Sequence, residues 1–495
     1  MSDAAGSSSP RTAKRSLFQS LNKSLFTRSA KRSDQLSDPD SAPVKQSISV
    51  LVGSWNVGNT PPPSSMASWL RPTDNHDVIA VGVQECQYDP RPEYESCEDD
   101  WFGSVAKTLG DRYTSVANIS ITPMTVDTYK SEQSFLDAVR DGKARSGEIR
   151  LSVHVRKEHL PLISNVEKSL RTTGRLGGLS GNKGGLCASF KFGETQLCFV
   201  NCHLNAHDEN YERRNADARA INAGIKNGID GFGATTQYPY VFWFGDLNYR
   251  VEAPLEEVKA MLAAKNYAAM LERDQLAKSK QSRQGFYNYR EAPITFAPTF
   301  KFKKNKEEYD FGRITSYCDR VLYKTLPGLE LAEGLYDGAF DIHTSDHVPV
   351  MSCFRLDIVA PFTPLNTTHV LHLGDLRTED LAIPENSAPD AQALLHACFN
   401  FAHATLVTDD TGAERMPNPK WKDKISLKVK GFSFEYLRDC HILVSAREEG
   451  KSRSSLGEAA ISLSEACDSE KATFAVDLVL HGVPKARLLG TVWIE

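Results

Sequence analysis

The stretch FWFGDLNYR, Phe242 to Arg250, joins an apolar run to a group of polar residues. Three consecutive aromatic residues predict a strand that is buried on both faces. Asp246 and Asn248 follow at the point where this strand would end. Strands often end in such residues simply because Asp and Asn favour turns. The alternative is that the strand holds these two side chains in place for chemistry.

Polar residues recur at the same kind of position in four other apolar segments. The segments are SWNVGN, VGVQE, VNCHL and TSDHVPV, and the residues are Asn56, Glu85, His203, Asp346 and His347. A strand-end turn explains any one of them taken alone. Together they favour a functional site, because the rim of a sheet holds side chains rigidly at little entropic cost.

The chemical types in this set agree with one another. Glu85 and Asn56 offer oxygen atoms to a hard cation such as Mg²⁺, which keeps most of its waters and takes only one or two carboxylates. Histidine, asparagine and further aspartates suit phosphoryl transfer from water. The sequence contains no GxxxxGK[ST], HExxH or GxSxG, so a nucleotide cradle, a zinc-protease site and a nucleophile elbow are unsupported.

The pattern of apolar and polar residues changes twice along the chain. From Ile48 to about residue 357, short apolar runs alternate with helical patterns such as PLEEVKAMLAAKNYAAML, which predicts an α/β or α+β body. After APFTPLN, alternating strands separated by turn residues predict a small β-sandwich. The predicted parts are a basic, Ser-rich tail over 1–45, a main domain over 46–358, a linker over 359–366 and a β-sandwich over 367–495.

Composition limits the functional classes. The 495 residues carry a net charge of −5, so an anion site would have to be local. No uncharged apolar run approaches the ~20 residues that a membrane-crossing helix needs. The ten cysteines form no CxxC pair, which disfavours a zinc site or a disulfide framework. These features predict a cytoplasmic protein.

The tail allows three interpretations. In SLFQSLNKSLFTR, apolar residues fall roughly on one helical face among basic residues: Leu17, Phe18, Leu21, Leu25 and Phe26. Such a helix could lie on an anionic membrane surface. A Ser- and Arg-rich, acid-poor start is also typical of a transit peptide. The third interpretation, which we favour, is a disordered tail.

Taken together, the motifs resemble those of the inositol polyphosphate 5-phosphatases, in the DNase I-like endonuclease/exonuclease/phosphatase superfamily. The matching segments follow that family's order over residues 48–357: SWNVGN, VGVQE, LSGNKGG, NCHLNAHDENYERRNADA, FWFGDLNYRV, ITFAPTFKF, YCDRVLY and TSDHVPV. The resemblance implies a four-layered DNase I-like α/β-sandwich, two sheets face to face with helices outside. The trailing strands resemble the C2 domain of the Src-homology-2-containing 5-phosphatases, which implies that a C2-like β-sandwich follows.

The resemblance also implies an activity and catalytic roles. The reaction is Mg²⁺-dependent hydrolysis of the 5-phosphate of phosphoinositides, with phosphatidylinositol 3,4,5-trisphosphate favoured over the 4,5-bisphosphate and soluble inositol polyphosphates as further substrates. Asp246 would orient and deprotonate the attacking water, while Asn248 would donate to a phosphate oxygen and hold Asp246. His347 would contact the scissile phosphate, Asp319 would fix its tautomer, and His203 would donate from the opposite wall.

Further residues are assigned by the same resemblance. The implied metal ligands are Glu85, Asn56 and Asp346. The predicted substrate-binding residues are Lys183, Arg250, Lys301, Asn205 and His207. Arg213, Arg214 and Asn215 are expected to brace the loop after His203 rather than to touch substrate.

The chain departs from the family pattern where relatives hold the inositol 4-phosphate. Phe300 stands where relatives usually have Tyr, and Gly312 lies where a lysine usually precedes the arginine equivalent to Arg313. The preferred head group is therefore open. Our hypothesis is that Lys303 or Lys306 replaces the missing cation.

The resemblance further implies partners and leaves alternatives. Phosphoinositides at a membrane surface are the expected partners, with peripheral recruitment and no nucleic acid. Asp409 and Asp410 offer too few acidic residues for a calcium-binding C2 module, so calcium independence is expected. The alternatives are a nuclease on the same fold and a non-catalytic phosphoinositide-binding adaptor.

Overall fold

A computed structural model describes most of the chain. The described residues are 44–121, 148–174, 183–399, 406–451 and 455–495. The predicted amphipathic stretch of the tail lies outside them. In the described residues, no helix is both long enough and apolar enough to span a bilayer.

The short apolar runs of the first part form strands, as their period and β-branched content predict. These strands are β1 (Lys45–Asn56), β2 (Val78–Gln84), β3 (Tyr113–Ile121), β4 (Ile149–Arg156), β5 (Ile163–Thr172), β6 (Gly184–Phe192), β7 (Thr195–His203), β8 (Tyr240–Asp246), β9 (Asp319–Thr325), β10 (Leu331–Gly338) and β11 (Val350–Val359).

The strands form two sheets that pack face to face. One sheet has the order β10-β11-β1-β2-β4-β3, and the other has the order β5-β6-β7-β8-β9. Neighbours are antiparallel except for β1–β2 and β7–β8, which are parallel. Buried residues of both sheets, such as Val50, Val153, Phe199 and Phe242, share one apolar core.

Helices pack around the two sheets. They are α1 (Ala67–Leu70), α2 (Cys97–Leu109), α3 (Tyr211–Gly224), α4 (Ala234–Gln237), α5 (Leu255–Ala263), α6 (Tyr267–Leu271) and α7 (Gln275–Gln281). Trp101 of α2 packs in a cluster with Ile79 of β2. Ile221 of α3 packs in another with Trp243 of β8. The four layers of the DNase I-like α/β fold are thus present, and the predicted fold is confirmed.

A second apolar core lies in the last part of the chain. Its elements are β12 (Thr368–Glu379), β13 (Gln392–Phe399), β14 (Val407–Asp410), β15 (Glu414–Arg415), β16 (Ile425–Lys430), α8 (Phe434–Leu437), β17 (His441–Glu448), β18 (Ser455–Ser462), α9 (Ser464–Asp468), β19 (Ala472–Leu480) and β20 (Val483–Ile494).

These strands join in one curled sheet rather than two separate ones. The order is β14-β13-β17-β18-β19-β20-β12-β16, with β15 beside β13. The two end strands meet, because Ser426 N of β16 donates to Asp409 Oδ2 of β14 at 2.7 Å. This nearly closed sandwich is compatible with a C2-like domain, and the division at 358 and 367 stays a prediction.

The parallel pairs determine where the polar strand ends meet. Asn56 at the end of β1 lies opposite Gln84, which directly precedes Glu85. His203 at the end of β7 lies opposite Asp246 at the end of β8. Since parallel strands bring their carboxyl ends to one edge, the fold gathers these residues on one rim.

Candidate functional site

Asp246 is the centre of the rim. Its side chain is buried, and the whole residue is 1% exposed. Asn56 Nδ2 donates to Asp246 Oδ2 at 2.9 Å, and His203 Nε2 lies 3.2 Å from the same oxygen. Asn248 N donates to the other oxygen at 3.0 Å. Both carboxylate oxygens are therefore held, which fixes the orientation of the group.

A histidine–aspartate pair lies beside Asp246. His347 Nδ1 is 2.8 Å from Asp319 Oδ2, which also accepts from Thr299 Oγ1 at 2.9 Å. The ligating atoms of Asp246, Asp319 and His347 all lie within 4.8 Å of one another. The bond to Asp319 leaves Nε2 of His347 as the nitrogen able to meet a ligand.

The charges of these groups follow from their surroundings. Burial lowers the pKa of His347, but the charge and hydrogen bond of Asp319 outweigh it and raise the pKa to about 9. Burial raises the pKa of Asp246, but the His203 hydrogen bond and the charges of His347 and Lys183 hold it well below the usual range. Asp246 is thus an anion facing an imidazolium at neutral pH.

His203 is in a different state from His347. Burial and the charge of Lys183 lower the pKa of His203, so its ring is neutral. Lys183 Nζ contacts His203 Nε2 directly, and burial lowers the pKa of this lysine as well. Lys183 therefore brings a cation next to His203, where its charge acts on Asp246 and would stabilise an anionic ligand.

Glu85 is held in a backbone conformation that is rare for glutamate. Its φ is +51°, and its carbonyl accepts from Asn59 N at 2.7 Å. Its side chain is 38% exposed, and Oε1 lies 3.9 Å from His203 Nε2. Such an outlier is typical of functional sites, because the surrounding structure must hold it against strain.

Arg250 and Asn248 are bonded to each other. Arg250 Nη2 donates to Asn248 Oδ1 at 2.6 Å and Nε donates to Asn248 O at 3.0 Å. Asn248 Nδ2 donates to Leu204 O at 3.1 Å. Both the oxygen and the nitrogen of the Asn248 side-chain amide are therefore hydrogen-bonded within the protein. The backbone N–H of Asn248, not its side chain, binds Asp246. Donation from Asn248 to a phosphate stays a prediction.

Comparison with known proteins now bears on this arrangement. A sequence model described as endonuclease/exonuclease/phosphatase family 2 matches residues 53–353, more than half of the chain. The chain belongs to this family. The matched range carries the strand ends described above, and the predicted relationship to the inositol polyphosphate 5-phosphatases is confirmed.

Curated relatives match most of the chain in sequence. The human phosphatidylinositol 3,4,5-trisphosphate 5-phosphatase 1 is 27% identical over 489 residues, which cover 92% of this chain and 38% of that protein. The phosphatidylinositol 3,4,5-trisphosphate 5-phosphatase 2B of Danio rerio is 28% identical over 431 residues, 81% of this chain and 33% of that protein. The chain thus spans less than half the length of these relatives.

A solved structure of the family has the same fold. It is the inositol polyphosphate 5-phosphatase domain of SPsynaptojanin in complex with inositol (1,4)-bisphosphate and calcium ion. It is 26% identical, with a TM-score of 0.53, and the match covers 69% of this chain and 91% of that chain.

The remaining predicted metal-side and cationic residues lie together beside the end of β1, in a group that we call the mouth: Gly58, Lys301, Lys304, Asp310 and Asp346. Lys301 Nζ lies 3.6 Å from Asp346 Oδ2 and 3.8 Å from Asp310 Oδ2. Lys304 Nζ contacts the carbonyl of Gly58, in the turn after β1. Asp346 therefore lies next to a lysine in this structure. Its role as a metal ligand stays a prediction.

One of the two lysines expected to replace the missing substrate-binding cation is paired with a carboxylate of the protein. Lys303 Nζ pairs with Glu308 at the surface of the loop. Lys304 reaches instead toward Gly58, beside the end of β1. Lys306 is exposed, and its role as a substitute cation stays a hypothesis.

The loop after β7 is braced from behind. Arg214 Nη1 donates to Asn205 O at 3.1 Å and also to His207 O at 2.5 Å. Asn205 Nδ2 donates to Asp217 Oδ2 at 3.2 Å, while Arg313 Nη1 lies 3.4 Å from His207 Nδ1. Arg214 therefore supports this loop, and the binding roles of Asn205 and His207 stay predictions.

Three positioning residues were missed by the sequence interpretation. Thr299 holds Asp319, Ser345 Oγ donates to Asn56 O at 2.7 Å, and Trp55 Nε1 donates to His347 O at 3.0 Å. All three lie inside the motifs that carry the resemblance. Their position in those motifs was the available signal, but their bonds depend on contacts distant in sequence.

Proposed function

We propose that the chain is a divalent-cation-dependent phosphatase that removes the 5-phosphate of phosphoinositides. Phosphatidylinositol 3,4,5-trisphosphate is the first candidate substrate, followed by the 4,5-bisphosphate and soluble inositol polyphosphates. The named activity of the human and Danio rerio relatives supports this substrate class. The inositol (1,4)-bisphosphate bound by the SPsynaptojanin domain is the dephosphorylated form expected of such a reaction.

One observation carries the proposal: a fixed, ionised Asp246 lies next to the His347–Asp319 pair on one rim. Asp246 orients the attacking water and accepts its proton as the new P–O bond forms. The bond from phosphorus to the inositol oxygen breaks on the opposite side. His347 stabilises the phosphate oxygens, because its imidazolium stays charged below about pH 9.

The donors at the rim fit a hard divalent cation. Glu85 offers an accessible carboxylate directly after Gln84, the residue that pairs with Asn56, and Mg²⁺ needs few protein ligands. Asp319 and His347 are bonded to each other, so two members of the group that lies within 4.8 Å of Asp246 are already paired rather than arranged as a cage for a cation. When bound, the cation would neutralise charge on the phosphate and on the leaving oxygen. We propose Mg²⁺ as the physiological ion, held by Glu85 and Asn56 with Asp346 nearby.

The other substrate phosphates need cations around this centre. Lys183, Arg250 and Lys301 lie around it; Arg250 is buried and Lys183 is half-buried. A desolvated cation attracts an anion more strongly than an exposed one does. We therefore assign these three residues to phosphate binding, with the protein acting in the cytoplasm on lipid at a membrane surface.

Phosphate release from a panel of short-chain phosphoinositides and soluble inositol phosphates tests the proposal. Asp246→Asn keeps the size of the side chain and removes its charge, so we expect a loss of about 10³-fold. Asp111→Asn, an exposed carboxylate just before β3 at the opposite edge of its sheet from Asn56, is the matched control and should match the wild type. Plasmid nicking with no phosphate release would favour the nuclease, and tight lipid binding without turnover would favour the adaptor.

A further inference from the structure

Phe300 lies between two charged groups of the candidate site. Its ring centroid is 4.5 Å from that of His347, with an interplanar angle of 37°. The guanidinium carbon of Arg250 lies 4.6 Å from the centroid of the same phenyl ring. Phe300 is 5% exposed, so these contacts are shielded from water. One apolar ring therefore contacts both groups.

The backbone fixes the place of this ring. Phe300 and Ser316 exchange hydrogen bonds, with N···O distances of 3.2 and 2.7 Å. On the other side, Val348 N donates to Thr299 O at 3.0 Å and Phe302 N donates to Asp346 O at 2.9 Å. The segment that carries Phe300 is thus held between the chain before β9 and the chain around His347.

The two charged groups are each held on one edge and left open on another. Asn248 binds Nε and Nη2 of Arg250, while Nη1 is buried and has no hydrogen-bond partner among the described residues. The nearest acid, Asp208, has its Oδ1 3.7 Å away. Asp319 likewise binds Nδ1 of His347. Each group keeps one nitrogen for an anion, and the phenyl ring fixes its plane.

We propose that Phe300 is a positioning residue for the phosphatase reaction. The phenyl ring keeps the Arg250 guanidinium and the His347 imidazole at a set separation. Arg250 can then bind one phosphate of the inositol ring while His347 contacts the scissile phosphate. This inference rests on the proposed function. A phenyl face attracts cations through its quadrupole and offers no polar atom that would compete for their hydrogen bonds.

Phe302 provides a matched control in the same segment. It is 4% exposed, and its ring stacks on Tyr309 with a centroid distance of 4.2 Å. Its other ring contacts are with Phe340 and His343, not with Arg250 or His347. Replacing Phe302 by leucine removes equal aromatic volume without touching the two charged groups, so it reports loop packing alone.

The experiment compares Phe300→Leu, Phe300→Tyr and Phe302→Leu with wild type. The assay temperature is one at which thermal denaturation shows all four proteins to be folded. For Phe300→Leu we expect kcat about tenfold lower and KM about fivefold higher, because both stacked groups lose their support. Phe300→Tyr keeps the aromatic face and should stay within about threefold of wild type. Phe302→Leu should also stay within about threefold. Equal losses in both leucine variants, or no rescue by tyrosine, would overturn the proposal.

A spectroscopic readout separates this proposal from the proposed function. Stacking on Phe300 should shift the imidazole proton signals of His347 upfield, and Phe300→Leu should remove that shift. The signals are assigned by their absence in His347→Asn. If no inositol phosphate is hydrolysed, the proposed function fails while the shift still reports the stack. If turnover is present but the signal is the same in wild type and Phe300→Leu, the positioning role fails.

Discussion

Asn56 Nδ2 donates to Asp246 Oδ2 at 2.9 Å, and this bond joins the end of β1 in one sheet to the end of β8 in the other. The two sheets contact chiefly through apolar side chains between them. A buried polar bond at their common rim therefore fixes the relative position of the two strand ends. It also holds Asp246 in one orientation, which the proposed role of this carboxylate in water attack on phosphorus requires.

Asn56→Ala should lower kcat by about tenfold to a hundredfold, because Asp246 loses one of its fixing bonds. Asn56→Asp should be worse, since two buried carboxylates would then face each other and raise the pKa of one of them. The measurement is phosphate release under saturating substrate. Wild-type kcat in both variants would contradict the assigned role of this bond.

The pH dependence of stability should report the His347–Asp319 pair. The folded pKa of His347, about 9, is above its ordinary 6.5, so the folded state binds this proton more tightly. The stabilisation is complete below about pH 6.5 and is lost as the pH rises through about 9. In chelator, denaturant midpoints of wild type should therefore decline over this window more steeply than those of Asp319→Asn. Parallel curves would contradict the expectation.

Gly245, in the stretch FWFGDLNYR, lies close to the backbone of the neighbouring strand. Gly245 has φ +140°, and a Cβ there would lie 2.0 Å from Cys202 O on the neighbouring strand. Gly245→Ala should therefore destabilise the fold by about 3 kcal/mol or more. Gly110 has φ +74° and ψ −176°, a conformation almost restricted to glycine, but nothing lies near its Cβ direction, so Gly110→Ala should cost about 1–3 kcal/mol from backbone strain alone and less than Gly245→Ala. Chemical denaturation measures both, and equal costs would contradict the role of the close strand contact.

Much of the rim could be predicted from sequence, because strand ends are local features. Apolar runs predict β8, and parallel pairing then brings Asp246 beside His203. The stack on Phe300 could not be predicted, since it depends on a loop held between Ser316 and Val348. The side-chain bonds of Asn248 were missed for the same reason. Loop geometry is set by distant partners, and a single sequence does not reveal them.

Substitutions of lysines in the loop after Phe300 should change KM to different extents, depending on what each lysine contacts. Lys301→Ala should raise KM about tenfold, because its ammonium lies at the mouth beside Asp346. Lys303→Ala should leave KM unchanged, because Lys303 is paired with Glu308 at the surface. Steady-state kinetics on a short-chain 3,4,5-trisphosphate provides the comparison. A raised KM for Lys303→Ala would restore the hypothesis that it replaces the missing cation.

Calcium should not change the membrane binding of the protein through the curled sheet of β12–β20. Asp409 already accepts from Ser426 N at 2.7 Å and from Asp410 N at 3.0 Å. Asp410 Oδ1 lies 2.7 Å from His396 Nδ1. Calcium needs six to eight oxygen ligands, and these carboxylates are already bonded within the sheet. Adding calcium to metal-free protein should therefore leave its partitioning onto anionic vesicles unchanged, because the aspartates would have to give up these bonds first. The Asp409→Asn variant should partition like wild type, and strong recruitment by calcium that this variant abolishes would overturn the expectation.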